Sequence, residues 1–292
     1  MDINRFVSRR KELGFSQVQL AQGICTQATL SKFENNGQIP SLNILQQLCN
    51  RLGLSLDELS QNDKDSIVYL NRQLKQAEID LMIGNFLAAQ ECLSNISINS
   101  QSTLIHQMQF YLIRGLLELL LDQDHEGAIA DFKLVTEELD QEQSTIWYYL
   151  GQAGLALVYD REQRAIAAKE HFKMVATYVD QLSDTAVENI TDFEYVLAIS
   201  YILGRYYWQN NFLQAAENYI NFGLQLAQYH HVTYFVPRLY MVQTEILKAQ
   251  GADASTIEAM IHQAAVFAEF NHNQVVQKWV QEQGKGELYD AN

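Results

Sequence analysis

The chain has 292 residues, only two of them proline and 14 glycine, with 48% hydrophobic and 19% charged side chains. That length holds about two domains with real cores, and so little Pro and Gly excludes collagen-like, Pro-rich and most loop-rich β architectures. With 20 Lys plus Arg against 35 Asp plus Glu the formal charge is −15, which excludes a wholly basic nucleic-acid coat but not a local DNA-reading surface.

In chain order, Asp2 is placed to cap a helix from Ile3 to Leu13, with Phe6 and Leu13 inward and Gly14 closing it. The residues before Leu13 include Arg5, Arg9, Arg10 and Lys11 with no apolar run behind them, so no export signal is read there. Ser16 caps a short second helix, Gln17 to Gln22. Gly23 turns the chain, Ile24 goes inward, and Thr26 caps a third helix from Gln27 to about Asn35. Two short helices joined by a tight Gly-containing turn follow the helix-turn-helix plan. Asn36-Gly37 ends the third helix, Pro40-Ser41 opens a fourth with Leu42, Leu45 and Leu48 on one face, and a fifth runs over 54–59. The polar stretch 61–66 marks a junction.

Beyond residue 66 apolar residues recur at three and four in blocks of about 12–20, with no sustained alternation of the strand type. The expected fold class is therefore all-α: a five-helix head, residues 1–62, and a helical body, residues 63–292, joined by a helix over about 66–82. The charge divides at the same place. Residues 1–62 carry six basic and five acidic side chains, and the remainder 14 and 30. An acidic body repels a polyanion, so any DNA contact belongs to the head.

Enzyme chemistry finds no foothold. No phosphate-cradling Gly loop is present, no HExxH occurs, and His230-His231 are adjacent, which cannot aim two rings at one metal from a helix. His106, His125, His171, His262 and His272 are dispersed and expected at the surface. Cys25, Cys49 and Cys92 are scattered, as befits thiols of a reducing compartment. No apolar run reaches the ~20 residues of a membrane span. The expectations are no enzyme, no metal, no cofactor, no membrane and a cytoplasmic location.

The string Gly14-Phe15-Ser16-Gln17, Leu20-Ala21, Ile24, Leu30-Ser31-Lys32-Phe33-Glu34, Gly37, Pro40-Ser41, Leu45, Leu48 and Leu52-Gly53-Leu54 resembles the Cro/C1-type (XRE) DNA-binding domain over about 60 residues. The resemblance implies that the third helix enters the major groove. Gln27 then reads a base through its amide, Ala28 and Thr29 meet thymine methyl groups or exclude other bases by shape, and Lys32 reaches a guanine or a phosphate. Gln17 clamps a phosphate at a helix N-terminus, and Asn36 touches backbone. The competing reading makes Gln27 and Thr29 ordinary solvated residues. Arg10 and Glu34 occupy positions of a structural ion pair, and Cys25 reads as packing. With Lys32 the only cation of the recognition helix, a homodimer on an inverted-repeat operator is expected.

In the body, Leu203-Gly204, Tyr207, Ala216, Ile220 and Gly223 keep the spacing of a tetratricopeptide repeat. Further units open at Gly151 with Ala168, Phe172 and Val175, and at Gly115 with Ala128, Phe132 and Val135. Weaker ones fit residues 77–96 and 244–270, and a capping helix with Trp279 follows. The resemblance implies a right-handed superhelix of five repeats whose first helices line a concave groove. Projected onto this chain, that face holds Asn71, Glu78, Gln109, Leu112, Tyr148, Gln152, Tyr201, Arg205, Trp208, Arg238, Met241 and Lys248. Arg205 and Arg238 suggest an anchor for a carboxylate, unless they pair with the abundant acidic side chains around them.

An XRE head on such a body resembles the Rgg/NprR/PlcR/PrgX group of peptide-responsive regulators, with a PlcR-like head in Ile24-Cys25-Thr26-Gln27 and Pro40-Ser41-Leu42-Asn43-Ile44-Leu45-Gln46. The resemblance implies a dimer that binds a short signalling peptide in its groove and double-stranded DNA with its heads. The joining helix is the expected lever, and a Pro at Gln73 should uncouple the two. Two other readings stand beside it: a groove that takes a protein partner, and a body that serves only as a dimerisation scaffold.

Overall fold

The computed structural model describes residues 2–56, 59, 67–98, 102–122, 124–183, 190 and 192–286. Among these there are fifteen α-helices and no strand. They group into two compact units, Met1–Lys75 with Asn95–Ser102 and Gln76–Ser94 with Thr103–Asn292. The break between these units falls within a helix, between Lys75 and Gln76. The expected junction over 61–66 lies outside the described residues, as do residues 57 and 58 of the expected fifth helix, of which Leu54 and Leu59 are buried.

The first unit begins with α1 (Ile3–Glu12), α2 (Gln17–Ala21), α3 (Gln27–Asn36) and α4 (Leu42–Leu52). Its helix starts are set by side chains that satisfy orphan amides. Asp2 accepts from Arg5 N at 3.0 Å, Ser16 from Gln19 N at 3.2 Å and Thr26 from Thr29 N at 3.1 Å. Gln19 returns a bond to Ser16 N, completing a capping box. Gly37 ends α3 at φ +69°, a left-handed conformation that glycine adopts without strain. Phe6 meets Phe33 edge-on at 5.1 Å in the centre of a core that also buries Leu20, Leu30, Leu45, Leu48 and Leu52. Two expected core positions are on the outside: Leu13 is 43% exposed because it follows the last turn of α1, and Leu42 is 69% exposed at the first residue of α4.

Helix α5 (Ile67–Ile83) carries the chain into the second unit, followed by α6 (Phe86–Ser94), α7 (Leu104–Leu117), α8 (His125–Lys133), α9 (Ile146–Arg161) and α10 (Ala165–Ser183). Then come α11 (Phe193–Gln209), α12 (Leu213–Tyr229), α13 (Val236–Gln250), α14 (Ala254–Phe270) and a last helix, α15 (Gln274–Gly286). Helices α7 and α8 each run on into a π-helical turn, Glu118–Asp122 and Leu134–Leu139. The pairs α7/α8, α9/α10, α11/α12 and α13/α14 pack as successive helical hairpins, and α15 covers the last of them. Close approach within and between hairpins rests on absent side chains. A Cβ at Gly204 would collide with Ile220 Cδ1 across its own hairpin, and one at Gly154 would sit 2.6 Å from the Phe132 ring of the preceding hairpin.

The second unit also joins its ends. Tyr195 Oη donates to Glu78 Oε1 at 2.9 Å, Arg238 Nη2 to the Leu81 carbonyl at 3.3 Å, and Asn273 Nδ2 to the Met82 carbonyl at 3.4 Å. The end of α5 is thereby held by α11, α13 and the residue preceding α15.

Candidate functional site

The outer surface of α3 is built on a buried ion pair. Arg10 donates to Glu34 through Nε and Nη2 at 2.7 and 2.8 Å, and its Nη1 donates to the Phe15 carbonyl at 2.7 Å. Glu34 has a further lone pair filled by Gln17 Nε2 at 2.8 Å, and Gln17 Oε1 accepts from Gln27 Nε2 at 2.9 Å. One carboxylate thus fixes the amide of Gln17, which orients the amide of Gln27 at the exposed start of α3. Ala28, Lys32 and Asn36 are exposed along the same helix, and Thr29 is half-buried with its hydroxyl 2.9 Å from that of Thr26. Arg51 is committed elsewhere, donating to the Leu20 and Gln22 carbonyls at 3.0 and 2.6 Å and closing the end of α2. Lys32 is the single cation of α3. Cys25 packs on the core of this unit, and burial pushes its thiol above the usual range.

The second unit contains an open-sided cavity of about 390 Å³. Its wall is mainly apolar: Leu81 and Met82 from α5, Leu112 and Leu116 from α7, Trp147, Leu150 and Leu157 from α9, Ile202 from α11 and Phe235 before α13. Polar groups enter at a few points, chiefly Glu78, Gln109, Arg205 and Arg238. Such a surface, apolar with a few convergent polar groups, has the form and volume of a ligand pocket. Arg238 lies over the Tyr201 ring at 5.6 Å, and its Nε is buried without a hydrogen-bond partner among the described residues. Burial pushes its guanidinium below the usual range, and the charge of Arg205 adds to that shift. Tyr195 is held neutral to unusually high pH, first by burial and then by the neighbouring Glu78.

The sequence-expected groove residues divide. Glu78, Gln109, Leu112, Tyr201, Arg205 and Arg238 line the cavity. Tyr148 and Gln152 do not: both are buried on the other side of α9, where Gln152 bonds the His171 ring. Trp208 packs on the hydrophobic core, and Met241 lies against the Ala264–Ala268–Val276 cluster. Lys248 bonds Glu245 and Gln283 under α15. Asn71 is an exposed residue of the first unit. Helix α9 is apolar on every side, so its periodicity does not say which edge faces the cavity. Arg161, whose Nη1 caps the Leu119 carbonyl in the π-helical turn, and Tyr195 were missed as cavity residues. Contrary to expectation His106 is buried, its Nδ1 accepting from Thr103 N at the start of α7. Among the described residues no cluster of His, Cys, Asp and Glu could hold a metal, and no helix is long and apolar enough to cross a membrane.

Comparison with known proteins agrees with this division. A helix-turn-helix family model matches residues 8–59. No curated protein sequence matches the chain significantly. Among solved structures, the chain is similar to PlcR of Bacillus thuringiensis in complex with the peptide PapR7 and DNA, at 16% identity and a TM-score of 0.57 over 95% of this chain and 98% of that one. It is similar to ComR of S. thermophilus in complex with DNA and its signalling peptide ComS, at 15% identity and a TM-score of 0.51 over the whole of both chains. It is also similar to the apo form of ComR from Streptococcus vestibularis, at 13% identity and a TM-score of 0.50 over 97% of each. Head and repeats together therefore share the fold of these regulators.

Proposed function

We propose that this chain is a sequence-specific DNA-binding transcriptional regulator of the quorum-sensing type, controlled by a short signalling peptide that enters the cavity of its repeat domain. The observation that carries this reading is the correspondence of fold, head and repeats together, with a regulator solved with both a peptide and DNA. The head supplies the reading surface. Gln27, pre-oriented by Gln17, offers an amide matched to adenine N6 and N7, with Ala28 and Thr29 beside it as shape contacts. Gln17, Lys32 and Asn36 serve the DNA backbone. A single cation on α3 grips few phosphates, so the working form is a homodimer on an inverted repeat.

Peptide contacts fall to Gln109, Tyr201, Arg205 and Arg238, the expected peptide-binding residues that line the cavity. A cavity not filled by the protein's own side chains supports a ligand-binding body over a pure dimerisation scaffold. The role is regulatory, and its place is the cytoplasm. Taking the heads from mostly inactive to mostly active requires ~5 kcal/mol of preferential peptide binding to one arrangement of the dimer.

Selection of fragments from the source genome tests the DNA half. The wild-type protein enriches fragments sharing an inverted repeat, and Gln27→Ala relaxes the preference at one base position per half-site. Equal retention of all fragments by wild type and variant contradicts the reading.

A further inference from the structure

We propose that the cavity is an end-group site, in which Arg205 and Arg238 receive the free C-terminal carboxylate of the ligand while its last apolar side chain is buried beside Leu112, Leu116 and Leu157. This rests on the peptide reading of the repeat domain and names the chemistry that domain recognises.

Three arginines line this cavity; Arg161 is taken by the Leu119 carbonyl, and no carboxylate pairs with Arg205 or Arg238 among the described residues. Several other cations of this acidic chain are paired with carboxylates: Arg10 with Glu34, Arg114 with Asp131 and Lys248 with Glu245. Arg205 makes no hydrogen bond or ion pair among the described residues, and Arg238 reaches only the Leu81 carbonyl and Tyr201. Its buried Nε donor has no acceptor, an arrangement that native proteins keep for a water, an ion or a ligand. Of the carboxylates that line the cavity, Glu78 accepts from the Tyr195 hydroxyl through Oε1, and Asp160 is exposed, as Arg205 is. A guanidinium carries five donors in a planar fork, so Arg238 can bind a carboxylate and still keep its bond to the Leu81 carbonyl.

A cavity of about 390 Å³ has room for at least a terminal residue of a peptide. The wall then asks for an apolar side chain next to the charge. Because Arg238 also holds the end of α5, the group that senses the carboxylate is bonded to the helix that leads towards the head.

Affinity selection with two random hexapeptide libraries tests this, one with free C-terminal carboxylates and one amidated, read by mass spectrometry on the full-length protein. Wild type retains apolar-ended peptides from the free-acid library at least tenfold over their amidated counterparts. Arg205→Gln and Arg238→Gln each lose that discrimination. Arg205 has no hydrogen bond to lose, so its variant keeps its thermal midpoint and the outcome reads the site alone. Equal retention of amidated peptides, or discrimination persisting in both variants, overturns end-group recognition and leaves peptide binding standing. Retention from neither library overturns the peptide reading, and this proposal with it.

Discussion

Glu34→Ala is the perturbation whose size follows most fully from geometry. Glu34 accepts three hydrogen bonds, two from Arg10 and one from Gln17, and its side chain is only 3% exposed. Removing it leaves the Arg10 guanidinium, itself 10% exposed, with the Phe15 carbonyl alone. Breaking one side of a buried pair costs about 3–5 kcal/mol, and the slight exposure here argues for the lower figure, ~3 kcal/mol. A domain of this size has few kcal/mol in hand, and ~3 kcal/mol corresponds to roughly 12–24 °C in its midpoint. Replacing both partners, Arg10→Met with Glu34→Leu, leaves no stranded charge and restores most of that loss. Thermal unfolding of the full-length chain, followed at a probe placed on the head, measures both. A single-variant loss below 1 kcal/mol, or a double variant as unstable as the single one, refutes the reasoning. The double variant also separates stability from recognition: Gln17 loses its anchor, so DNA affinity stays reduced although the head is folded.

Lys32→Ala weakens binding evenly across DNA sequences and lowers the salt slope of affinity by about two for the dimer, about one per copy, measured by fluorescence anisotropy at several salt concentrations. In the repeat domain, Gly204→Ala drives a methyl into Ile220 and costs about 1–3 kcal/mol in denaturant unfolding. Adding Ile220→Val, which removes the clashing Cδ1, returns part of that loss. Burial and the nearby Asp192 raise Tyr178 from about 10 to about 12, so the folded state holds its proton where the unfolded chain releases it. Stability from this group is complete below pH 10 and is lost as pH rises from 10 through 12, and Tyr178→Phe removes that slope in alkaline unfolding monitored by far-UV circular dichroism.

The legible parts of this fold were local ones. Asp2, Ser16 and Thr26 cap where side-chain chemistry says they should, because an orphan amide and a short acceptor lie within three residues of each other. The hairpin of α11 and α12 was legible from Gly204, Ala216 and Ile220, since two helices touch only where one of them has no side chain in the way. The register of α9 was not legible. Eleven of its sixteen residues are buried, so choosing Tyr148 and Gln152 over Trp147, Leu150 and Leu157 for the cavity had no amphipathic stripe to guide it. Met241 and Lys248 were misplaced for another reason: α15 returns over α13 and covers that face. The joining of the ends was silent in sequence, as Asn273 and Met82 are 191 residues apart and bond through a carbonyl that every residue possesses. The arginines were singled out by charge scarcity alone. Their lack of carboxylate partners is a three-dimensional fact.

The decisive experiment is a mobility-shift titration on the gene's own upstream DNA, with and without a small-peptide extract of spent culture. Peptide control of the heads predicts that the extract changes the apparent dissociation constant at least tenfold, and that Arg205→Gln abolishes the change while leaving DNA binding without extract intact. A dissociation constant indifferent to the extract in both proteins would contradict it.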